Sequence, residues 1–179
     1  MLNARLQRQM HAIRTRAVNP AMSTTDSTPL SGDKTNWWEA PLDTLNKIQW
    51  EALCDGCGRC CLVKLRDADD DSLHFTSLVC HLFDRTTARC TDYSQRHVRV
   101  PDCIEFDATD LRSHDWLPNT CAYRLRADGK PLPEWHPLIS GDPASVEEAG
   151  ISVKGRVVSE ANVHPDDAEE FIIRWVSAE

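Results

Sequence analysis

The chain has 179 residues, of which 41% are hydrophobic and 27% charged, with a formal net charge of -8. That composition suits a folded globular domain, and the acidic balance argues against a phosphate-backbone partner. No run approaches the roughly 18 consecutive apolar residues of a membrane-crossing helix, so neither nucleic acid nor a membrane is an expected partner, and no protein partner is specified.

Residues 1–36 carry five basic and two acidic groups, followed by a Ser/Thr/Asp/Pro-rich run. This segment reads as a flexible or spurious extension, with Met22 as an alternative start. Its Arg-rich, acid-poor beginning also suits an organelle transit peptide. It has no apolar stretch typical of an export signal, so a cytoplasmic location with reduced thiols is expected. Residues 37–179 read as a single cysteine-rich domain. A helix is expected over Pro41–Leu53, with Leu42, Leu45, Ile48, Ala52 and Leu53 near one face. It delivers the chain into the run Cys54-Asp55-Gly56-Cys57-Gly58-Arg59-Cys60-Cys61.

Four thiols in eight residues serve no hydrophobic core. Each two-residue gap lets a tight turn aim a pair of sulfurs at one metal. Gly58, just after the second cysteine, suits a left-handed turn that points backbone N–H groups at sulfur. Cys54, Cys57 and Cys60 have the spacing with which three thiolates grip a cluster in bacterial ferredoxins. Val63 stands where the fourth ferredoxin cysteine belongs, so that pattern is met only in part. Adjacent side chains diverge, which sends Cys60 and Cys61 toward different centres.

Beyond the acidic run Asp69-Asp70-Asp71, a strand region is expected over Leu73–Phe83 and a turn over Thr86–Arg89. Cys80, Cys90, Cys103 and Cys121 complete a pool of eight thiols, enough for two four-sulfur sites whose membership the spacing does not reveal. A short helix capped by Asp107 or Thr109, a helical turn at Thr120–Arg124 and an ordered loop around Trp135 follow. Ile151–Val158 reads as a strand and Pro165–Val176 as a helix.

These residues carry a resemblance. The segment from Trp50 to Cys61 resembles the signature of the YcgN-like family of bacterial proteins, within the wider C-x2-C-x2-C-C group of zinc- or iron-chelating domains. The similarity continues through Cys80, Cys90-x-x-Tyr93-x-x-Arg96, Val100-Pro101-Asp102-Cys103 and Trp116-Leu117-Pro118-x-Thr120-Cys121-Ala122-Tyr123-Arg124. It covers about residues 37–160, including all eight cysteines, and runs through Trp135-His136-Pro137 to Ile151-Ser152-Val153. The resemblance implies a metal site and no particular reaction. Some relatives are labelled iron–sulfur oxidoreductases, and a flagellin lysine methylase has a similar cysteine motif.

Other features read more plainly. His74, His81, His97, His114 and His136 are not needed as ligands where eight cysteines complete two sites. Asp67-x-Asp69-x-Asp71 starts like a calcium loop, but Ser72 and Leu78 occupy the positions of its glycine and its bidentate glutamate. No phosphate-cradling or serine-hydrolase motif occurs. Tyr93 and Arg96 are expected to pack beside the thiolates. The expected fold is a small, loop-rich, metal-stabilised α+β domain with a C-terminal strand and helix. The expected function is zinc or iron binding through the eight cysteines. The alternative is an iron–sulfur oxidoreductase or electron carrier.

Overall fold

The computed structural model describes residues 6–7 and 36–178. Most of the N-terminal extension therefore lies outside the described residues. The chain passes through two 3-10 turns, Trp37–Glu39 and Leu42–Thr44, into helix α1 (Lys47–Ala52). The single helix expected over Pro41–Leu53 is thus divided. Asn46 is the reason: its backbone is extended and its side chain restarts the helix. Asn46 Oδ1 accepts the Gln49 N–H at 2.9 Å and Gln49 Oε1 accepts the Asn46 N–H at 3.0 Å, a reciprocal capping box.

The described strands are β1 (Leu6–Gln7), β2 (Leu62–Asp67), β3 (Leu73–Val79), β4 (Phe83–Asp84), β5 (Arg89–Cys90) and β6 (Val158–Ser159). They form a four-stranded sheet ordered β1-β2-β3-β6 and a two-stranded ribbon of β4 and β5. β2 and β3 are antiparallel and β3 and β6 are parallel. Four short helices complete the fold: α2 (Arg96–Arg99), α3 (Ala122–Ala127), α4 (Pro137–Ser140) and α5 (Ser145–Glu148). The architecture is α+β and loop-rich, as expected.

Alternation along β3 separates its two faces. Phe75 and Val79 join Leu62, Phe83, Val153 and Val157 in one core, while Leu78 turns to the other face against Leu65 and Ala168. A bulge between Leu62 and Lys64 shifts the β2–β3 register. A second core gathers Leu53, Leu111, Leu117, Ala122 and Tyr123 from the helical half. The Trp50 and Tyr123 rings lie 4.9 Å apart, and the Tyr123 hydroxyl donates to the Trp50 carbonyl at 2.9 Å. These contacts dock α3 on α1.

The C-terminal elements are shorter than their patterns suggest. Of Ile151–Val158, only Val158 enters a strand. The expected terminal helix is a 3-10 helix over Pro165–Phe171. It stops there because Ile172 bridges Thr76 and the Ile173 N–H donates to Phe75 O at 2.8 Å, drawing the chain out along β3. Among the described residues, no helix is long and apolar enough to cross a membrane.

His136 joins the halves at a decisive point. It is 1% exposed, its Nε2 lies 3.1 Å from Leu53 O, and its Nδ1 accepts the Leu138 N–H at 3.1 Å. The ring is therefore neutral with its proton on Nε2, and it pins the residue before Cys54. Replacing His136 with Ala should destabilise the protein by about 2–3 kcal/mol, through a lost buried hydrogen bond and a cavity. Burial lowers the His136 pKa from the ordinary 6.5. Its contribution is present above that value and is lost as pH falls below it. In denaturant melts, the gap between wild type and His136→Gln should narrow as pH drops below 6.5.

Candidate metal centre

The cysteine loop begins where α1 ends. Asp55 Oδ1 accepts the Cys57 N–H at 2.9 Å, closing the first turn. Gly56 and Gly58 adopt φ values of +71° and +76°, the left-handed conformation expected for Gly58. Gly58 has a second constraint: a Cβ there would lie 2.6 Å from Phe83 Cζ and 2.8 Å from Val153 Cγ2. Arg59 is buried and holds the loop from behind. Its Nε donates to Ile151 O at 2.7 Å and its Nη1 to Thr120 Oγ1 at 3.1 Å.

That second bond brings Thr120 and Cys121 beside the loop. Cys121 is the N-cap of α3, so the docking of α3 on α1 carries its sulfur toward Cys54. Cys80 reaches the loop through the sheet. Its N–H donates to Cys61 O at 3.1 Å, next to the Leu62–Val79 pair. Cys90 returns on β5 opposite Phe83, whose own N–H donates to Cys80 O at 2.9 Å. Cys103 follows α2, with its carbonyl 2.9 Å from His97 Nδ1.

All eight cysteines are free thiols. Six of them, Cys54, Cys60, Cys61, Cys80, Cys90 and Cys103, line one cleft of about 800 Å³ between the two cores. Cys54 is exposed as a residue and lines the cleft. Cys57 is buried and Cys121 half-buried, and neither is in the lining of the cleft. Among the described residues, no three cysteine sulfurs all lie within 4.8 Å of one another. The one trio of ligand atoms that meets this spacing is Cys80, His81 and Glu160 at the rim, where Glu160 Oε1 already takes the His81 ring nitrogen at 3.3 Å.

Burial raises the pKa of most of these thiols, and neighbouring thiolates raise it further. Cys121 is pushed up to about 12 by burial, with Cys60 adding to the effect. Cys54 rises through burial and then through Cys60, and Cys57 through burial, Asp55 and Cys60. Cys80 rises through burial, Glu160 and the sulfurs of Cys103 and Cys90. Cys60 is the exception: a hydrogen bond from the Cys61 thiol, helped by Lys64, lowers it to about 7 against the cost of burial. An apolar pocket of mutually repelling thiols favours the protonated state until a cation displaces the protons.

Lys64 was not singled out by sequence reasoning. Alternation on β2 turns it into the cleft on the same side as Leu62. Its Nζ donates to Cys60 O and Leu62 O, each at 2.7 Å, and lies 4.4 Å from the Trp116 ring centroid. Its sequence signal is weak, because the same strand also carries Arg66 and Asp67. Arg96 stacks on the Tyr93 ring at 3.9 Å, donates to the Tyr93 carbonyl at 2.8 Å, and its charge opposes the rise that burial causes in the Cys103 thiol. The Tyr93 hydroxyl donates to Glu51 at 2.8 Å. Tyr93 and Arg96 thus pack beside the thiols, as expected.

The donor set suits a thiophilic metal. A family model with the C-x2-C-x2-C-C motif, described as a "putative zinc- or iron-chelating domain", matches residues 53–122, the span that holds all eight cysteines. A UPF0260 protein of Rhizorhabdus wittichii is 52% identical over 131 residues, covering 73% of this chain and 90% of its own. The chain belongs to the UPF0260 family. Other UPF0260 proteins show comparable similarity. That of Marinobacter nauticus is 50% identical over 140 residues, covering 78% of this chain and 95% of its own. That of Azotobacter vinelandii is 50% identical over 137 residues, covering 76% and 92% respectively. No solved structure matches the chain.

Gly58 provides the sharpest test of the loop geometry. Gly58→Ala combines a left-handed backbone with a clash against core side chains and should cost about 2–4 kcal/mol. Metal content per chain, measured by elemental analysis, should fall in the same variant. Gly129, which has open space around it, serves as the comparison: Gly129→Ala should leave metal content unchanged.

Proposed function

We propose that the cleft holds iron–sulfur chemistry and that the protein serves a redox role. The observation that carries this reading is the spacing of the sulfurs. A tetrahedral zinc site with zinc–sulfur bonds near 2.3 Å draws its four sulfurs to about 3.8 Å from one another. Among the described residues, six thiols line one cleft and no three cysteine sulfurs lie within 4.8 Å of one another. A polynuclear cluster, with iron and sulfide between the ligands, holds its thiolates farther apart. The Cys54, Cys57 and Cys60 spacing supports the same reading.

The surroundings also suit a cluster. Lys64 and Arg96 place positive charge and N–H donors near the sulfurs, which is how a protein raises a cluster's reduction potential. Trp50, Phe106 and Trp116 on the cleft wall limit water at the centre. The bound group would supply one-electron transfer; the chain supplies ligands, counter-charge and a partly apolar enclosure. The second reading is a structural zinc module, favoured by the glycine turn at Gly58 and by the family description.

Anaerobic purification separates the two. The iron–sulfur reading expects brown protein with broad visible absorption, iron, and acid-labile sulfide in comparable amounts. Colourless protein with stoichiometric zinc and no sulfide would establish the structural module instead.

A further inference from the structure

The eight cysteines fall into two groups, and the division follows the two halves of the fold. We propose that Cys54, Cys57, Cys60 and Cys121 hold one centre and that Cys61, Cys80, Cys90 and Cys103 hold a second, side by side. This deepens the metal-centre reading and rests on it.

The first group belongs to the helical half. Cys54, Cys57 and Cys60 share the loop that leaves α1. Cys121 is brought to that loop by two independent ties, the Arg59 bond to Thr120 at 3.1 Å and the stacking of Tyr123 on Trp50 at 4.9 Å. The sulfur neighbours agree with these ties. Cys54 is influenced by Cys60 and Cys121, and Cys57 by Cys60 and Cys54.

The second group belongs to the sheet half. The N–H of Cys80 donates to Cys61 O at 3.1 Å, so these two residues adjoin through the backbone. The β4–β5 ribbon puts Cys90 opposite Phe83, three residues beyond Cys80. Cys103 lines the same cleft as Cys61, Cys80 and Cys90, with the Arg96 charge beside it. Cys80 is influenced by Cys103 and Cys90, and Cys103 in turn by Cys90.

The groups meet at Cys60 and Cys61. Cys60 and Cys61 stand at the end of the 3-10 turn Arg59–Cys61, just before β2 begins, and it is the Cys61 carbonyl that takes the Cys80 N–H. Lys64 anchors its ammonium on the Cys60 carbonyl at 2.7 Å, and both Cys60 and Cys61 feel its charge. Cys103 also senses Cys60, which fits neighbouring centres.

The test uses full-length protein, purified anaerobically, with total metal and sulfide per chain as the readout. Cys121→Ser and Cys90→Ser should each lose about half the metal of the wild type, and their combination nearly all. The pair C54S/C121S, within one group, should lose no more than C121S alone. Complete loss in both single variants, or additive loss within a group, would overturn the division. A variant that keeps half its metal is thereby shown to fold. As a check that needs no variant, stepwise chelation of wild-type protein with mass-spectrometric thiol alkylation should release Cys60 and Cys61 with different sets of partners. Release of both with one set would count against two centres. The metal arithmetic holds for zinc as well as iron, so failure of the division is distinct from failure of the iron–sulfur reading, which the sulfide content decides.

Discussion

Six thiols line one cleft, with Cys57 and Cys121 buried or half-buried outside its lining, and the burial of these thiols is the constraint on which the rest of the molecule turns. Neutral thiols pack there as small apolar groups. Ionised, they repel one another in a medium that solvates charge poorly. The raised pKa values of Cys57, Cys61, Cys80 and Cys121 express that conflict. A bound cation would relieve it by replacing several protons at once, and its binding would then be linked to folding.

The protein supplies partial compensation before any metal arrives. Lys64 reaches the Cys60–Cys61 junction from β2, Arg96 reaches Cys103 from α2, and Arg59 braces the loop from behind. Each cation comes from a different element, so the charge balance at the cleft depends on the assembled fold. Burial lowers the Lys64 pKa to about 8, and the neighbouring sulfurs oppose that shift. Its ammonium is satisfied by two carbonyls and the Trp116 face. A methionine of similar length would fill the space without the charge.

His136 and Arg59 show how distant segments set the position of the cysteine loop. One side chain fixes the residue before Cys54, and the other fixes the turn between Cys57 and Cys60. Both bond to backbone carbonyls from remote parts of the chain, and such ties leave no periodic trace in sequence. The terminal helix differs in kind from its sequence pattern for a related reason. Its apolar residues have helical spacing, yet Ile172 and Ile173 are used as an extended segment along β3. Competition from a neighbouring strand outweighed local preference.

The sequence by itself determined the chelating-domain motif and the α+β class. Paired thiols at two-residue spacing and a glycine after the second are local features, and local geometry follows from local residues. The β3 strand and the turn before Cys90 were legible for the same reason, through alternation and turn chemistry. The tertiary structure decided which thiols are neighbours. Cys61 and Cys80 adjoin through a strand pair, and Cys121 joins the loop through aromatic packing and an arginine bond. Those distances depend on register and docking between segments remote in sequence, and spacing along the chain carries no measure of them.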